Sequence, residues 1–214
     1  MNFYSHAVVA SWLSPDPGFV LGAMLPDLCR MAGEKPIRGA GVILDGVRCH
    51  EHTDEVFHAH GEFRRLCADA FDGLSARGLA RGSAKAAAHI GVELLIDGGL
   101  FDDEFGRAHY LKSIRASPAL LSSAQPGAGL SRVLAAMRER GVERAHTSAD
   151  AIARRIDYAT RGRRRLALSQ GDIPRIDDWA QAARAAVLAA TPTLIRDVAK
   201  EIGAAPPADS RLGW

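Results

Sequence analysis

Along most of this chain, apolar residues recur at three- and four-residue intervals, and no window of four to eight residues alternates apolar with polar between turns. That pattern predicts helices and no strands. A first helix is expected over 2 to 13, and Ser14-Pro15-Asp16-Pro17 reads as a turn that starts a second, with Asp16 as cap and Pro17 in the first turn. The second helix runs over 18 to 31. A long stretch over 42 to 74 breaks near Gly61, a Gly- and Arg-rich loop covers 75 to 82, and a further helix covers 83 to 97. A Pro/Gly/Ser stretch over 117 to 129 then separates helices near 130 to 140, 148 to 168 and 172 to 202, and residues 203 to 214 read as a loose tail. The fold class is therefore all-α: a single helical-bundle domain, 1 to 214, with a basic helical half at 130 to 202.

Composition narrows this without changing it. The 214 residues are 47% hydrophobic and 24% charged, with net charge +2, which is globular and offers no polybasic arm or acidic tail as the dominant feature. No nucleic-acid partner is expected from that balance. Cys29, Cys49 and Cys67 are odd in number and widely spaced, so neither a disulfide framework nor a Cys-x-x-Cys zinc site is drawn from them. The opening lacks an early Lys or Arg, and no apolar run approaches the ~20 residues of a membrane span, so a cytoplasmic chain is expected. Charge is uneven: residues 132 to 165 hold ten arginines against four acidic residues, and Arg161, Arg163, Arg164 and Arg165 form a basic patch that suits an acidic partner or a solvated helix end.

Six of the eight histidines fall in the first 89 residues. In Ala86 to Ile96 only His89 and Glu93 are polar, so that helix reads as buried all round, where an ionised Glu must be protonated, paired or bound to a cation. The i, i+4 spacing puts both side chains on one face within reach of a single ion. Asp27 repeats the pattern as the sole charge between Pro17 and Cys29, and His6 does so in Phe3 to Ala10. In Cys49 to His60, His50, Asp54 and His58 fall at i, i+4, i+8 and line one helix face. A metal centre of His6, Asp27, His50, Asp54, His89 and Glu93 makes the first 100 residues the metal-site half. His58, a turn beyond Asp54, is the candidate for acid/base or phosphate contact. Nitrogen and oxygen ligands without thiolate suit Mn²⁺, Fe²⁺ or Zn²⁺ alike. The same residues are also compatible with a non-catalytic buried hydrogen-bond network.

Met1-Asn2-Phe3 with His6, the GAMLPDL segment with Asp27, His50-x-x-x-Asp54 and the later Glu93 resemble the acyl carrier protein phosphodiesterase family, in the same order and at similar intervals over residues 1 to 100. That resemblance implies an all-helical, HD-phosphohydrolase-like fold. It also implies a divalent metal, typically Mn²⁺, a phosphopantetheine-type phosphodiester as substrate and an acidic carrier protein as partner. The chain departs from the family at Arg48, where a histidine is expected, and at Glu93-Leu94, where the family offers Asp-His. The order His6, Pro26-Asp27, His50 and His89-x-x-x-Glu93 is also similar to the zinc-dependent phospholipase C family. Both resemblances imply phosphoester hydrolysis by metal-bound hydroxide.

Overall fold

The computed structural model describes residues 1–37, 40–122, 126–141 and 148–208. Glu143 and Arg144 of the arginine-rich stretch, and the end of the expected tail from 209, lie outside them. Among the described residues there are nine helices and no strand: α1 (Phe3–Leu13), α2 (Pro17–Ala32), α3 (Val42–Ala59), α4 (Gly61–Ala76), α5 (Arg81–Leu100), α6 (Glu104–Leu120), α7 (Ala128–Arg140), α8 (Ala149–Thr160) and α9 (Asp172–Glu201). None of them is long and apolar enough to cross a membrane, and the three cysteines are free. The chain forms two compact units, each assembled from segments of both halves.

The first unit takes Met1–His58, Leu100–Glu143 and Ile195–Trp214. α1 is its centre: Tyr4 to Ser11 are all buried, and the helix packs on α2 and α6. α2 begins as its sequence dictates, with Asp16 Oδ1 accepting from the amides of Gly18 at 2.7 Å and Phe19 at 3.2 Å and Pro17 needing no donor. It ends at Gly33, whose φ of +69° suits the left-handed cap. α3 lies against α2 with backbone on backbone. A Cβ on Gly22 would overlap the Ile43 carbonyl and come within 3.0 Å of Gly46 Cα, and one on Gly46 would overlap the Phe19 carbonyl. Only a glycine pair permits that approach.

Two differences from the sequence reading belong to this unit. α6 was not anticipated, because its buried face is Gly106, Tyr110, Ser113, Ile114 and Ser117, spaced as a helix but mostly small or polar. It also continues through Pro118, which was read as loop. Proline deprives the Ile114 carbonyl of its usual amide donor, and the Ser117 hydroxyl replaces that bond at 2.8 Å.

The second unit takes Ala59–Gly99 and Arg144–Leu194. Its helices meet through small residues that receive one large ring. Trp179 of α9 lies over Gly91 of α5, where a Cβ would come within 2.6 Å of the indole, and over Gly73 of α4, at 3.2 Å. Arg77 Nε bonds Asp178 Oδ2 at 2.7 Å beside it. α8 stops at Thr160, earlier than the expected 168, because the chain leaves helical geometry at Arg161 and turns through Gly162 at φ +78°. The expectation that α5 is buried all round is corrected here: the His89 side chain is 47% exposed, and Glu93 is the more sheltered of the two at 14%. The helix is apolar by composition, yet one edge of it meets solvent.

Candidate metal centre

The glycine crossing decides where the imidazoles stand. His50 lies one turn after Gly46 on α3, so the close approach to α2 brings its Nδ1 to the Ala23 carbonyl at 2.9 Å. A carbonyl only accepts, so Nδ1 carries the proton and Nε2 keeps its lone pair, as in metal-binding histidines. Burial lowers the pKa of His50, against the Ala23 bond, and keeps the ring neutral. His6, from α1, lies beside it with ring centroids 3.8 Å apart and planes 30° from parallel. Two rings at that separation cannot both be cationic without strong repulsion. Burial drives the His6 pKa down to about 3, against the attraction of Asp54.

Asp54, one turn beyond His50, supplies the carboxylate. Its Oδ1 is 2.9 Å from the Met1 amino nitrogen, 3.2 Å from His58 Nε2 and 3.4 Å from His6 Nε2. Burial alone would raise the carboxyl pKa, but His58, the nearby His6 and the terminal ammonium outweigh it and hold the group far below the ordinary carboxylate range. One nitrogen, one nitrogen and one oxygen, from His6, His50 and Asp54, lie within 4.8 Å of one another. The His6–Asp54 approach at 3.4 Å does not have hydrogen-bond geometry, and His6 Nε2 is a buried nitrogen without a hydrogen-bond partner. Buried polar atoms are rarely left so, and a buried imidazole nitrogen beside a carboxylate and a second imidazole suits a cation held between them. The donor set, two neutral imidazoles and an ionised carboxylate, fits a divalent ion.

The remaining sequence candidates fall elsewhere. Asp27 is buried inside α2 with Oδ1 3.5 Å from Arg30 Nη2, and it is not one of the three clustered donors. His58 sits at the edge of the cluster, with a side chain 31% exposed. His89 and Glu93 belong to the second unit, where Nε2 and Oε1 are 3.3 Å apart and the edge of Phe63 meets the His89 ring at 5.4 Å. Burial and the Glu93 charge push the Cys67 thiol up to about 12, so it rests as the neutral thiol at neutral pH.

Two participants went unrecognised in the sequence. The Ala23 carbonyl has no side-chain signature, and only the Gly22/Gly46 pairing hinted that α3 would come so near. The Met1 amine is likewise invisible to side-chain spacing. No family model, curated protein or solved structure matches this chain, so the case for a function rests on the geometry of His6, His50 and Asp54.

Proposed function

We propose that the protein is a metal-dependent phosphoester hydrolase whose ion is held by His6, His50 and Asp54. The observation that carries this reading is the buried, orphaned Nε2 of His6, which faces a carboxylate and a second neutral imidazole. Three protein donors leave a further position for water and substrate, as catalytic sites require and closed structural sites do not. A divalent ion supplies a hydroxide at neutral pH and stabilises charge on phosphoryl oxygens.

The protein's own groups have distinct tasks. Ala23 fixes the tautomer of His50, so the ring offers Nε2 without having to shed a proton. Burial does the same service for His6. Asp54, held ionised, is a permanent anion at the centre. His58 is partly exposed and one turn from Asp54, which can orient its ring through Nε2, and it is suited to pass a proton to a leaving alkoxide. Mn²⁺, Zn²⁺ and Fe²⁺ all suit the donors. The resemblance to acyl carrier protein phosphodiesterases makes a phosphopantetheinylated acidic carrier protein the first substrate to try. Asp27 remains a proposed ligand on its sequence position and the resemblance, and His89 and Glu93 remain proposed because their one-turn spacing keeps their donor atoms within reach of one ion.

The test is elemental analysis of protein purified without chelator, followed by turnover of bis(p-nitrophenyl) phosphate with each metal. The expected result is close to stoichiometric metal and activity that chelator abolishes and Mn²⁺ or Zn²⁺ restores. Metal-free protein that gains neither thermal stability nor activity from any of the three ions rules the reading out. It would favour instead a non-catalytic buried network, the reading supported by the His50–Ala23 and Met1–Asp54 bonds.

A further inference from the structure

The near-neutral charge of the whole chain hides a local excess in the second unit. After α8 ends, the chain folds into consecutive tight turns: Arg163 N–H bonds the Thr160 carbonyl at 3.1 Å, and the amides of Leu166 and Ala167 both bond the Arg163 carbonyl, at 2.7 and 2.9 Å. This loop is pinned to the start of α5. Ser83 Oγ donates to the Ala167 carbonyl at 3.1 Å, and the Arg165 carbonyl stands where a Cβ on Gly82 would be. Arg81 precedes that glycine and Lys85 lies one turn beyond it, so two more cations border the loop.

Arg81, Lys85, Arg163, Arg164 and Arg165 are all exposed. None of the five has an ion pair among the described residues, whereas their neighbours Arg154, Arg161 and Arg175 are matched to Asp150 at 2.6 Å, Asp157 at 2.5 Å and Asp172 at 3.4 Å. Residues 73–92 and 158–171 contain no Asp or Glu to offset them. Five residues before Arg163, on the last turns of α8, Tyr158 is 65% exposed, the only aromatic among the exposed large hydrophobic residues described. It stands one turn from Arg154 and from Arg161.

We propose that these exposed groups of the second unit, Arg81, Lys85, Tyr158 and Arg163 to Arg165, bind single-stranded nucleic acid. Arginine forks can grip phosphate with two bonds each, and they can grip a carboxylate in the same way, so the cations alone fit either anion and the choice falls to the aromatic ring. An uncovered ring gives a base a surface to stack on, which is sequence-tolerant and of no use to a carboxylate. Five cations on phosphates predict a strongly salt-dependent affinity, and the proposal is independent of the metal reading.

The experiment is fluorescence anisotropy of a labelled, mixed-sequence RNA of about 20 nucleotides titrated with the full chain. Five phosphate contacts on a single strand give a slope near −3.5, so affinity should fall about 100-fold between about 50 and about 200 mM salt. Changing Arg163, Arg164 and Arg165 together to Gln should cut that fall to about sevenfold, since two contacts remain. Tyr158→Ala should weaken binding about tenfold with the slope unchanged, and Tyr158→Phe should restore it. Circular dichroism of each surface variant, expected to match the parent spectrum, separates lost contacts from lost folding. No binding at the lower salt, a slope that the triple change leaves intact, or equal competition by polyglutamate or phosphatidylserine vesicles each overturns the proposal, the last by pointing to an acidic protein or a membrane.

Discussion

α1 and α5 each carry a histidine within an apolar run, yet they treat it differently. His6 of α1 is 1% exposed and meets groups from another helix, His50 and Asp54 of α3. His89 of α5 is half exposed, and the carboxylate it meets is Glu93, one turn along its own helix. The first arrangement needed α1, α3 and, through the Ala23 carbonyl that holds His50, α2 to converge, so its polar atoms are fixed by the fold. The second forms in any helix that carries this spacing, and its solvent contact keeps it cheap. Local spacing finds pairs, and only tertiary packing turns one into a site.

The largest test of this contrast is Gly46→Ala. The new methyl would press on the Phe19 carbonyl and on Gly22 Cα at 2.9 Å, neither of which can rotate away. A loss of about 3 kcal/mol in chemical denaturation is expected, the upper end for overpacking, together with loss of metal binding. Gly91→Ala in the second unit meets side chains alone, the indole of Trp179 and, at 3.4 Å, the Ile156 methyl, which can shift, and should cost nearer about 1 kcal/mol. Equal costs would mean that the α2–α3 crossing is not the constraint claimed for it.

Next in size is Asp54→Ala in chelated protein, which strands the Met1 ammonium and His58 beside a missing acceptor. Because the Asp54 side chain is 34% exposed, the penalty is placed at about 2 kcal/mol or less, below that of a sealed pair. Urea melts in the presence of chelator measure it, and an unchanged midpoint would show that the cluster is not cohesive without its ion.

Acid should act on the same centre. The unfolded chain protonates His6 near pH 6.5, while the folded chain resists until about pH 3, so this contribution to stability is complete above 6.5 and drains away as pH falls through that window. His50 is lowered by burial too and adds in the same sense. In metal-free protein, His6→Gln should remove about 1.4 kcal/mol per pH unit from the slope of stability between about pH 6 and pH 4. A slope identical to wild type would place the acid sensitivity elsewhere. The smallest effect belongs to Glu93→Gln, expected below about 1 kcal/mol because its partner His89 is wet. A cost above that of Asp54→Ala would reverse the ranking of the two regions.

Much of the architecture was legible in the chain. The starts and ends of α1 to α4 follow from Asp16-Pro17, Gly33 and the break at His60-Gly61, where local chemistry decides the backbone. α6 was not, because Gly106, Ser113 and Ser117 bury a face that hydrophobicity does not register. The site was half readable. His50, Asp54 and His58 follow from one-turn spacing, but that His6 rather than Asp27 stands beside them depends on how α1 and α2 pack. For His89 and Glu93 the one-turn spacing was legible and their cover was not: apolar neighbours along a sequence do not guarantee burial on every side.

The Gly22–Gly46 crossing also bears on how this protein can vary. Where two helices are spaced by interlocking side chains, each substitution in the seam resets their separation, and anything mounted on them drifts with it. Here the spacer is peptide backbone, which mutation does not alter in size. Neighbouring core positions are therefore free to diverge in volume, at a cost in stability alone, while the height of the His50 imidazole above α2 stays the same. A sequence lineage could rewrite most of this unit's interior and keep the same bite between the two imidazoles, provided that two glycines are left in place.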